Sequence, residues 1–226
     1  MTSVVFNYSF SSGLGCYEHS RFVSDIVMEI NLTDDQDNKI ENIGRVDFLI
    51  VNIDEASQGP YHLYDVIDAH SEYLARHAFE FFDPETGDYT EKLNEQYHYE
   101  LMNRNFCLIQ KITILPKYRG FNIGAKAIRD IVFHYSAACG LFVVQPYPLQ
   151  FEFTFDENKY DHLDLKDLEQ NETKAKKKLI DYYKSMGFKS VKGIKSLLFY
   201  NPALKNDKMD KIDLDDPEVF KLRVIK

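Results

Sequence analysis

The chain has 226 residues, of which 44% are hydrophobic and 28% are charged, and its formal net charge is -9. This composition is typical of a folded domain with a substantial core and excludes a disordered chain. The negative charge argues against nucleic acid as the main partner, because binding to phosphate backbones requires clustered Lys and Arg. There is no apolar stretch of bilayer-spanning length and no secretory signal pattern, so we expect a cytoplasmic protein without a membrane partner.

Neither the cysteines nor the histidines suggest a bound metal. Cys16, Cys107 and Cys139 are odd in number and far apart, which predicts small buried residues rather than a disulfide framework or a zinc site. Three histidines between residues 62 and 77 recur at about two-turn spacing. Ligands on one helix lie one turn apart, so we interpret these histidines as residues of a polar or partly buried helix face.

The first third of the chain has the pattern of β-strands. Apolar residues alternate with smaller or polar ones from Val4 to Phe10, and residues 21–32 and 43–53 are rich in β-formers. The polar segment 33–42 between them is typical of a hairpin loop. We therefore predict three strands in this part of the chain.

The middle of the chain has the pattern of helices. Apolar residues recur at helical spacing over residues 61–82, which predicts one amphipathic helix, and residues 91–101 predict a second, shorter one. Residues 83–87, with the sequence DPETG, separate the two. We interpret residues 58–101 as a helical insertion within a single domain that spans residues 1–226.

The rest of the chain alternates between the two patterns. We predict strands over residues 106–115, 141–145 and 195–200, helices over 125–138 and 174–186, and a polar loop over 158–171. The tail, residues 201–226, is highly charged, but Phe220, Leu222 and Val224 alternate in it as in an edge strand.

The most informative segment is the one that follows the buried strand 106–115. Pro116 ends the strand, a basic turn with Gly120 and Gly124 follows, and a helix begins. Free N–H groups at a helix start attract anions, and glycines let a phosphate approach the backbone closely. The glycine spacing fits neither a P-loop nor a Rossmann fingerprint. An ordinary turn, in which the glycines serve only the chain reversal, is the equal alternative.

Two motifs in this order resemble the GNAT superfamily of acetyl-CoA-dependent N-acyltransferases. Motif A of that family is a strand followed by Arg or Gln, two residues, Gly, one residue, and Gly or Ala, which places Arg119 first and Gly124 last. Asn122 stands where the family usually has glycine, and Asn is tolerant of left-handed backbone conformations. Residues 179–188 resemble motif B, a helix with Tyr, three residues and Gly-Phe, and a β run follows it.

The resemblance implies an α/β (α+β) fold with a central, mostly antiparallel mixed sheet that is flanked by helices and splays beside the motif A strand. The gap accepts pantetheine, whose amides would pair with the backbone of Ile112 and Ile114. The pyrophosphate of acetyl-CoA would lie on Arg119, Gly120, Phe121, Asn122, Ile123, Gly124 and Ala125.

The resemblance also assigns Tyr183 as the proton donor to the departing thiolate. A phenol of pKa about 10 can protonate the thiolate of a thiol of pKa about 8.5. The N–H of Ile114 or Leu115 is a candidate donor to the oxyanion. Because Tyr182 adjoins Tyr183 and one of them must face the core, a packing role for Tyr183 is equally compatible.

The sequence does not identify a general base. Glu100, Glu152, His134 and a water chain are alternatives, as is direct attack by an amine that is already deprotonated. Three features favour the alternative of an inactive CoA-binding or protein-interaction module. The general base is missing, Asn122 replaces the usual family glycine, and Lys176 replaces a frequent family Asn.

The leading prediction is an N-acetyltransferase that uses acetyl-CoA, needs no metal and acetylates a primary amine by direct attack on the thioester. A small-molecule acceptor is favoured over a protein, and a homodimer is left open. A transferase of longer acyl groups is a third alternative.

Overall fold

The computed structural model describes residues 2–12, 19–101, 103–152 and 160–214. Seven strands form one sheet in the order β1-β2-β3-β4-β5-β7-β6, in which only β4 and β5 run parallel. This confirms the predicted α+β class with a mostly antiparallel mixed sheet. The strands are β1 (Ser3–Ser9), β2 (Val23–Thr33), β3 (Lys39–Val51), β4 (Phe106–Ile114), β5 (Leu141–Val144), β6 (Lys189–Val191) and β7 (Ile194–Tyr200).

Helices cover both faces of the sheet and bury a separate apolar core on each. The helices are α1 (Ile53–Ser57), α2 (Leu63–His70), α3 (Glu72–Ala78), α4 (Glu91–Gln96), α5 (Ile123–Tyr135), α6 (Glu172–Ser185) and α7 (Asp207–Asp210). Helices α1 to α4 pack on one face, against a core that includes Phe106 and Phe199. Helices α5 to α7 pack on the other face, against Phe48 and Phe142. Alternation of side chains along each strand supplies both cores.

The predicted N-terminal strands are confirmed, with one boundary corrected. Strand β3 begins at Lys39, so the loop predicted over residues 33–42 is only five residues long, 34–38. The Asp34 carboxylate accepts the N–H groups of Gln36 and Asn38, each at 2.9 Å. This side chain closes a tight turn, and the polar residues after it are therefore free to extend the strand.

The single helix predicted over residues 61–82 is wrong, because the chain breaks at Ser71. Ser71 is extended, with φ -169° and ψ 148°, and its hydroxyl accepts the N–H of Leu74 at 3.2 Å. The residue therefore ends α2 and caps α3, and the two short helices keep the same apolar spacing. Helix α4 also ends earlier than predicted, since His98 and Tyr99 have positive φ values of 53° and 60°.

The remaining strands and helices match the prediction to within a few residues, but three short elements were not predicted. These are α1, α7 and β6, which forms a hairpin with β7 through Gly193 at φ 92°. Cys107 and Cys139 are buried as expected. Cys16 and the predicted edge strand around Phe220 lie outside the described residues, as does part of the loop predicted over residues 158–171.

The feature that positions the candidate site is a bulge in β4. Asp47 of β3 pairs with Lys111 and the next residue, Phe48, pairs with Ile109, which leaves Gln110 unmatched. On its other side, β4 pairs with β5 only from Phe106 to Ile109. No described strand pairs with residues 110–114 on this side, because β5 ends at Val144, opposite Ile109. We call this open side of β4, beyond the end of β5, the gap.

Candidate functional site

The main chain of β4 directs polar groups into the gap. The N–H of Leu115 donates to the carbonyl of Ile43 at 2.9 Å, toward β3. Main-chain groups alternate in direction along an antiparallel strand, so those of Ile112 and Ile114 point away from β3, into the gap. Consistent with this, the carbonyl of Ile114 accepts the Nε–H of Arg119 at 3.1 Å. Of the two candidate oxyanion donors, Leu115 is therefore excluded.

Six consecutive main-chain N–H groups at the start of α5 donate to no acceptor in the described part of the chain. The first helical hydrogen bond runs from the N–H of Lys126 to the carbonyl of Asn122 at 3.1 Å, and Asn122 provides no side-chain cap. Free N–H groups at a helix start form an anion-binding surface. We call this surface the N–H cradle: Gly120, Phe121, Asn122, Ile123, Gly124 and Ala125.

Two residues in left-handed conformations give the N–H cradle its shape. Gly120 has φ 86°, and no atom lies within 4 Å of a Cβ built on it, so the backbone is open to a ligand there. Asn122 has φ 59° and ψ 17°. The expectation that Asn would maintain the turn in place of glycine is therefore met in the backbone conformation.

Arg119 stabilises the turn instead of extending toward solvent. Its own N–H donates to the carbonyl of Pro116 at 3.1 Å, so the free N–H groups begin one residue later than predicted. The guanidinium donates to the carbonyls of Ile114, at 3.1 Å, and Leu163, at 2.5 Å. Burial lowers the pKa of Arg119 from its ordinary value. As a phosphate ligand, the Arg119 side chain stays a prediction, since it would have to leave these carbonyls.

The two adjacent tyrosines of α6 occupy different places. Tyr183 is 7% exposed, and its ring lies edge-on to Phe188 with centroids 5.8 Å apart. Its hydroxyl oxygen has no hydrogen-bond partner among the described residues, and this oxygen is not completely buried. Burial raises the pKa of Tyr183 well above that of a free phenol. The role of Tyr183 as proton donor stays a prediction.

Tyr182 lies at the N–H cradle, which the sequence did not indicate. Its hydroxyl oxygen is 2.9 Å from the position of a Cβ built on Gly124, and the side chain of Ile112 is 3.8 Å from the same position. Burial raises the pKa of Tyr182 to about 12. Gly124 therefore allows α5, α6 and the gap-facing part of β4 to meet closely.

The gap connects the two faces of the sheet. Tyr183 belongs to the core under α5 and α6, and Tyr73 packs against the core under α1 to α4, yet Tyr73 is close enough to contribute to the raised pKa of Tyr183. The charge of Glu152 also acts on Tyr73. Lys111 of β4 donates to Glu152 at 2.9 Å and to the hydroxyl of Tyr160 at 2.5 Å. The α1 to α4 side of the gap is thus lined by polar groups.

The candidate general bases do not all lie at the gap. Glu152 does, through its ion pair with Lys111. His134 is on the outer part of α5, with a half-exposed side chain 3.7 Å from Asp130. Glu100 is exposed, and its carbonyl accepts a hydrogen bond from Asn201. His134 and Glu100 are therefore poorly placed for this site.

A shallow groove runs along the first half of α6. Lys176, the residue that replaces a frequent family Asn, lines it together with Glu172, Thr173, Lys177 and Ile180. The two lysines give this part of the surface a positive charge, although the chain as a whole is acidic.

Among the residues that the structure describes, no group of three or more His, Cys, Asp or Glu side chains is arranged to hold a metal ion. Within the same residues, no helix has the length and apolarity that crossing a membrane requires. No protein-family model, curated protein or solved structure gives a significant match to this chain.

Proposed function

We propose that this protein is an N-acetyltransferase of the GNAT type that transfers the acetyl group of acetyl-CoA to the primary amine of a small-molecule acceptor. One observation carries the proposal: six main-chain N–H groups that have no acceptor among the described residues lie at a helix start, beside the part of β4 that extends beyond the end of β5. A diphosphate satisfies such N–H groups, and an extended chain with amides satisfies the strand.

The cofactor would bind from the α5 and α6 face. Its diphosphate would accept hydrogen bonds from the N–H cradle, and its pantetheine amides would pair with the gap-facing groups of Ile112 and Ile114. The N–H of Ile114 would then stabilise the oxyanion that forms when the amine attacks the thioester. Tyr183, kept protonated by burial, would give its proton to the departing thiolate.

The acceptor would enter from the opposite face. The gap opens there onto Tyr73, Glu152 and Lys111, which belong to segments that a cofactor on the α5 and α6 face would not cover. An attacking amine and a thioester that approach from opposite faces would meet between the strands. The inserted helices α2 and α3 would form the wall of the acceptor site.

The proposal is tested by calorimetric titration with CoA of the wild type and of two variants at Asn122. Asn122→Asp is isosteric, but it adds a negative charge to the N–H cradle. Asn122→Gly keeps both the N–H and the charge state and is the matched control. We expect Asn122→Asp to bind CoA about 10-fold more weakly, a loss of ~1.4 kcal/mol. Absence of CoA binding by the wild type at millimolar ligand would refute the proposal.

The second candidate, a CoA-binding module without catalysis, is favoured by the absence of a carboxylate on β4 and by Lys176. An assay of thiol release from acetyl-CoA separates the enzyme from the inactive module. The amines tested are a polyamine, an arylalkylamine, an amino sugar and a lysine peptide. Acetyl transfer supports the enzyme, whereas CoA binding without thiol release for any amine supports the module.

A further inference from the structure

His77 of α3 is a buried titratable residue with an unpartnered nitrogen. It is 3% exposed, and its Nδ1 is buried without a hydrogen-bond partner. An unsatisfied polar atom in a protein interior costs free energy, so it requires an explanation in terms of structure or function. Two other described atoms, the hydroxyls of Thr90 and Tyr97, share this state, but neither belongs to a group that titrates near neutral pH.

Polar and aromatic groups surround the imidazole on several sides. Tyr73 packs edge-on against it, with ring centroids 4.5 Å apart. Oε1 of Glu80 lies 3.7 Å from Nδ1, too far for a hydrogen bond but close enough for an ion pair. The hydroxyl of Ser196 donates to the same oxygen of Glu80 and holds the carboxylate in place. The side chain of Gln145 is close enough to raise the pKa of the imidazole.

These residues collect where the sheet opens. Gln145 directly follows Val144, the last residue of β5, and Val144 pairs with Leu198 of β7. Ser196 lies two residues before Leu198, so it is beyond the end of β5, at the same edge as Gln145. The imidazole thus lies near the end of β5, beyond which β4 is unpaired on this side. Tyr73, which contacts the imidazole, also contributes to the raised pKa of Tyr183.

The charges around the imidazole suit a proton acceptor. Burial lowers the pKa of His77, and the cation of Arg76 also lowers it, while Glu80 and Gln145 raise it. The ring is therefore uncharged at neutral pH and has a basic nitrogen to offer. Once protonated, it would be stabilised by the carboxylate of Glu80. Tyr73 is the other titratable group in contact, and burial raises its pKa to about 12, so it stays neutral.

We propose that His77 accepts the proton that the acceptor amine gives up, and that Glu80 binds the acceptor while it still carries its ammonium charge. This inference rests on the proposed acetyltransferase function. The bound ammonium first gives one proton to the unprotonated ring nitrogen of His77. The neutral amine nitrogen then forms a bond to the thioester carbon, the carbon–sulfur bond breaks, and the second N–H proton leaves to solvent. The sulfur takes a proton from Tyr183. The products are an amide and a thiol, and the two side chains return to their starting states by exchange with solvent.

The acceptor class follows from this pair. The side chain of Glu80 is 31% exposed, so an alkylammonium group can reach its carboxylate. An acceptor that is protonated at neutral pH, such as a primary alkylamine, needs both an anion to bind it and a base to deprotonate it. An arylamine, which is neutral at pH 7, needs neither.

The experiment is a pH profile of kcat/KM with acetyl-CoA and the best alkylamine of the panel. His77→Gln keeps a polar side chain of similar size but cannot accept a proton. In the wild type, we assign to His77 the limb of the profile in which kcat/KM falls as the imidazole becomes protonated at acid pH. In His77→Gln we expect kcat/KM at pH 7 to fall about 100-fold and this limb to disappear, so that the rate rises steadily with pH. Glu80→Gln should shift that limb to lower pH, because the imidazolium loses its anion. His134→Gln, on the outer part of α5, is the matched control with an unchanged profile.

CoA affinity, measured by calorimetry, separates this inference from the proposed function. A His77→Gln protein that binds CoA normally but has lost the pH limb supports both. If this variant binds CoA and has the wild-type profile, the assignment of His77 is wrong and the acetyltransferase stands. If His77→Gln does not fold, the shift of the limb in Glu80→Gln decides, and an unshifted limb contradicts the inference. A wild type that releases no thiol with any amine overturns both.

Discussion

The hydroxyl of Tyr182 lies directly over Gly124, 2.9 Å from where a Cβ would stand. Ala is favoured over Gly in a helix by roughly 0.5 to 1 kcal/mol, but here its methyl group would displace the phenol. We therefore expect Gly124→Ala to destabilise the wild type and to stabilise Tyr182→Phe, in which the obstructing oxygen is gone. The free energy of unfolding in urea measures both effects.

The diagnostic result is that Gly124→Ala lowers the free energy of unfolding of the wild type but raises that of Tyr182→Phe. The next atom of the Tyr182 ring is 4.0 Å from the same position, an ordinary contact, so Tyr182→Phe leaves room for the methyl group. If Gly124→Ala has the same effect in both backgrounds, α6 does not lie against the N–H cradle as described.

Arg119 should matter more for stability than for phosphate binding. Its guanidinium bridges the carbonyls of Ile114 and Leu163. Lys keeps the charge but cannot reproduce the planar donor geometry, so Arg119→Lys should lower the free energy of unfolding by roughly 2 kcal/mol. Thermal unfolding with and without CoA tests this. An unaltered stability combined with a large loss of CoA affinity would show that the side chain binds phosphate after all.

Tyr183→Phe should reduce turnover without reducing CoA binding. The hydroxyl makes no hydrogen bond to the described residues, so its removal leaves the packing against Phe188 intact. We expect kcat to fall about 100-fold. Tyr135→Phe, near the end of α5 away from the gap, is the control. If Tyr183→Phe and Tyr135→Phe have the same kcat, Tyr183 is a packing residue and not the proton donor.

The turn that precedes the N–H cradle has a pH-sensitive anchor. The Glu41 carboxylate accepts the Tyr118 hydroxyl at 2.6 Å and pairs with Lys117 at 2.9 Å. Partial burial opposes ionisation of Glu41, but these hydrogen bonds outweigh it and lower the pKa. A lowered folded pKa means that the stabilisation is present above the unfolded pKa, about 4.3, and is lost as pH falls through the folded value.

Glu41→Gln should therefore be less stable than the wild type at pH 7, and the difference should shrink at acid pH. Urea unfolding at pH 7 and pH 3 measures it. A difference that stays constant with pH would mean that Glu41 is not ionised in this contact.

Local patterns were sufficient for the parts of the fold that depend on local interactions. The strand, Pro116, the basic turn and α5 follow one another in the sequence, so the N–H cradle could be predicted from residues 112–125. The helix break at Ser71 could not be predicted, because the apolar spacing continues across it. Only the hydrogen bond from the N–H of Leu74 to the Ser71 hydroxyl reveals it. The short strand β6 was missed because it depends on its hairpin partner.

The rest of the site depends on contacts between distant segments. His77 and Ser196 are far apart in the sequence, and their connection through Glu80 exists only in the folded chain. Sequence reasoning placed His77 on a helix face but had no means of bringing it to the end of β5. Similarly, the adjacency of Tyr182 and Tyr183 showed that one must face the core, but not which one would approach Gly124.

The central claim is that a diphosphate binds to the free N–H groups of residues 120–125. Backbone amide NMR shifts during titration with CoA measure this directly, residue by residue. We expect the largest shifts at Gly120, Asn122 and Gly124, with smaller shifts at Ile112 and Ile114. Saturating CoA that leaves the amides of residues 120–125 unshifted, or that shifts only amides elsewhere, would contradict the claim.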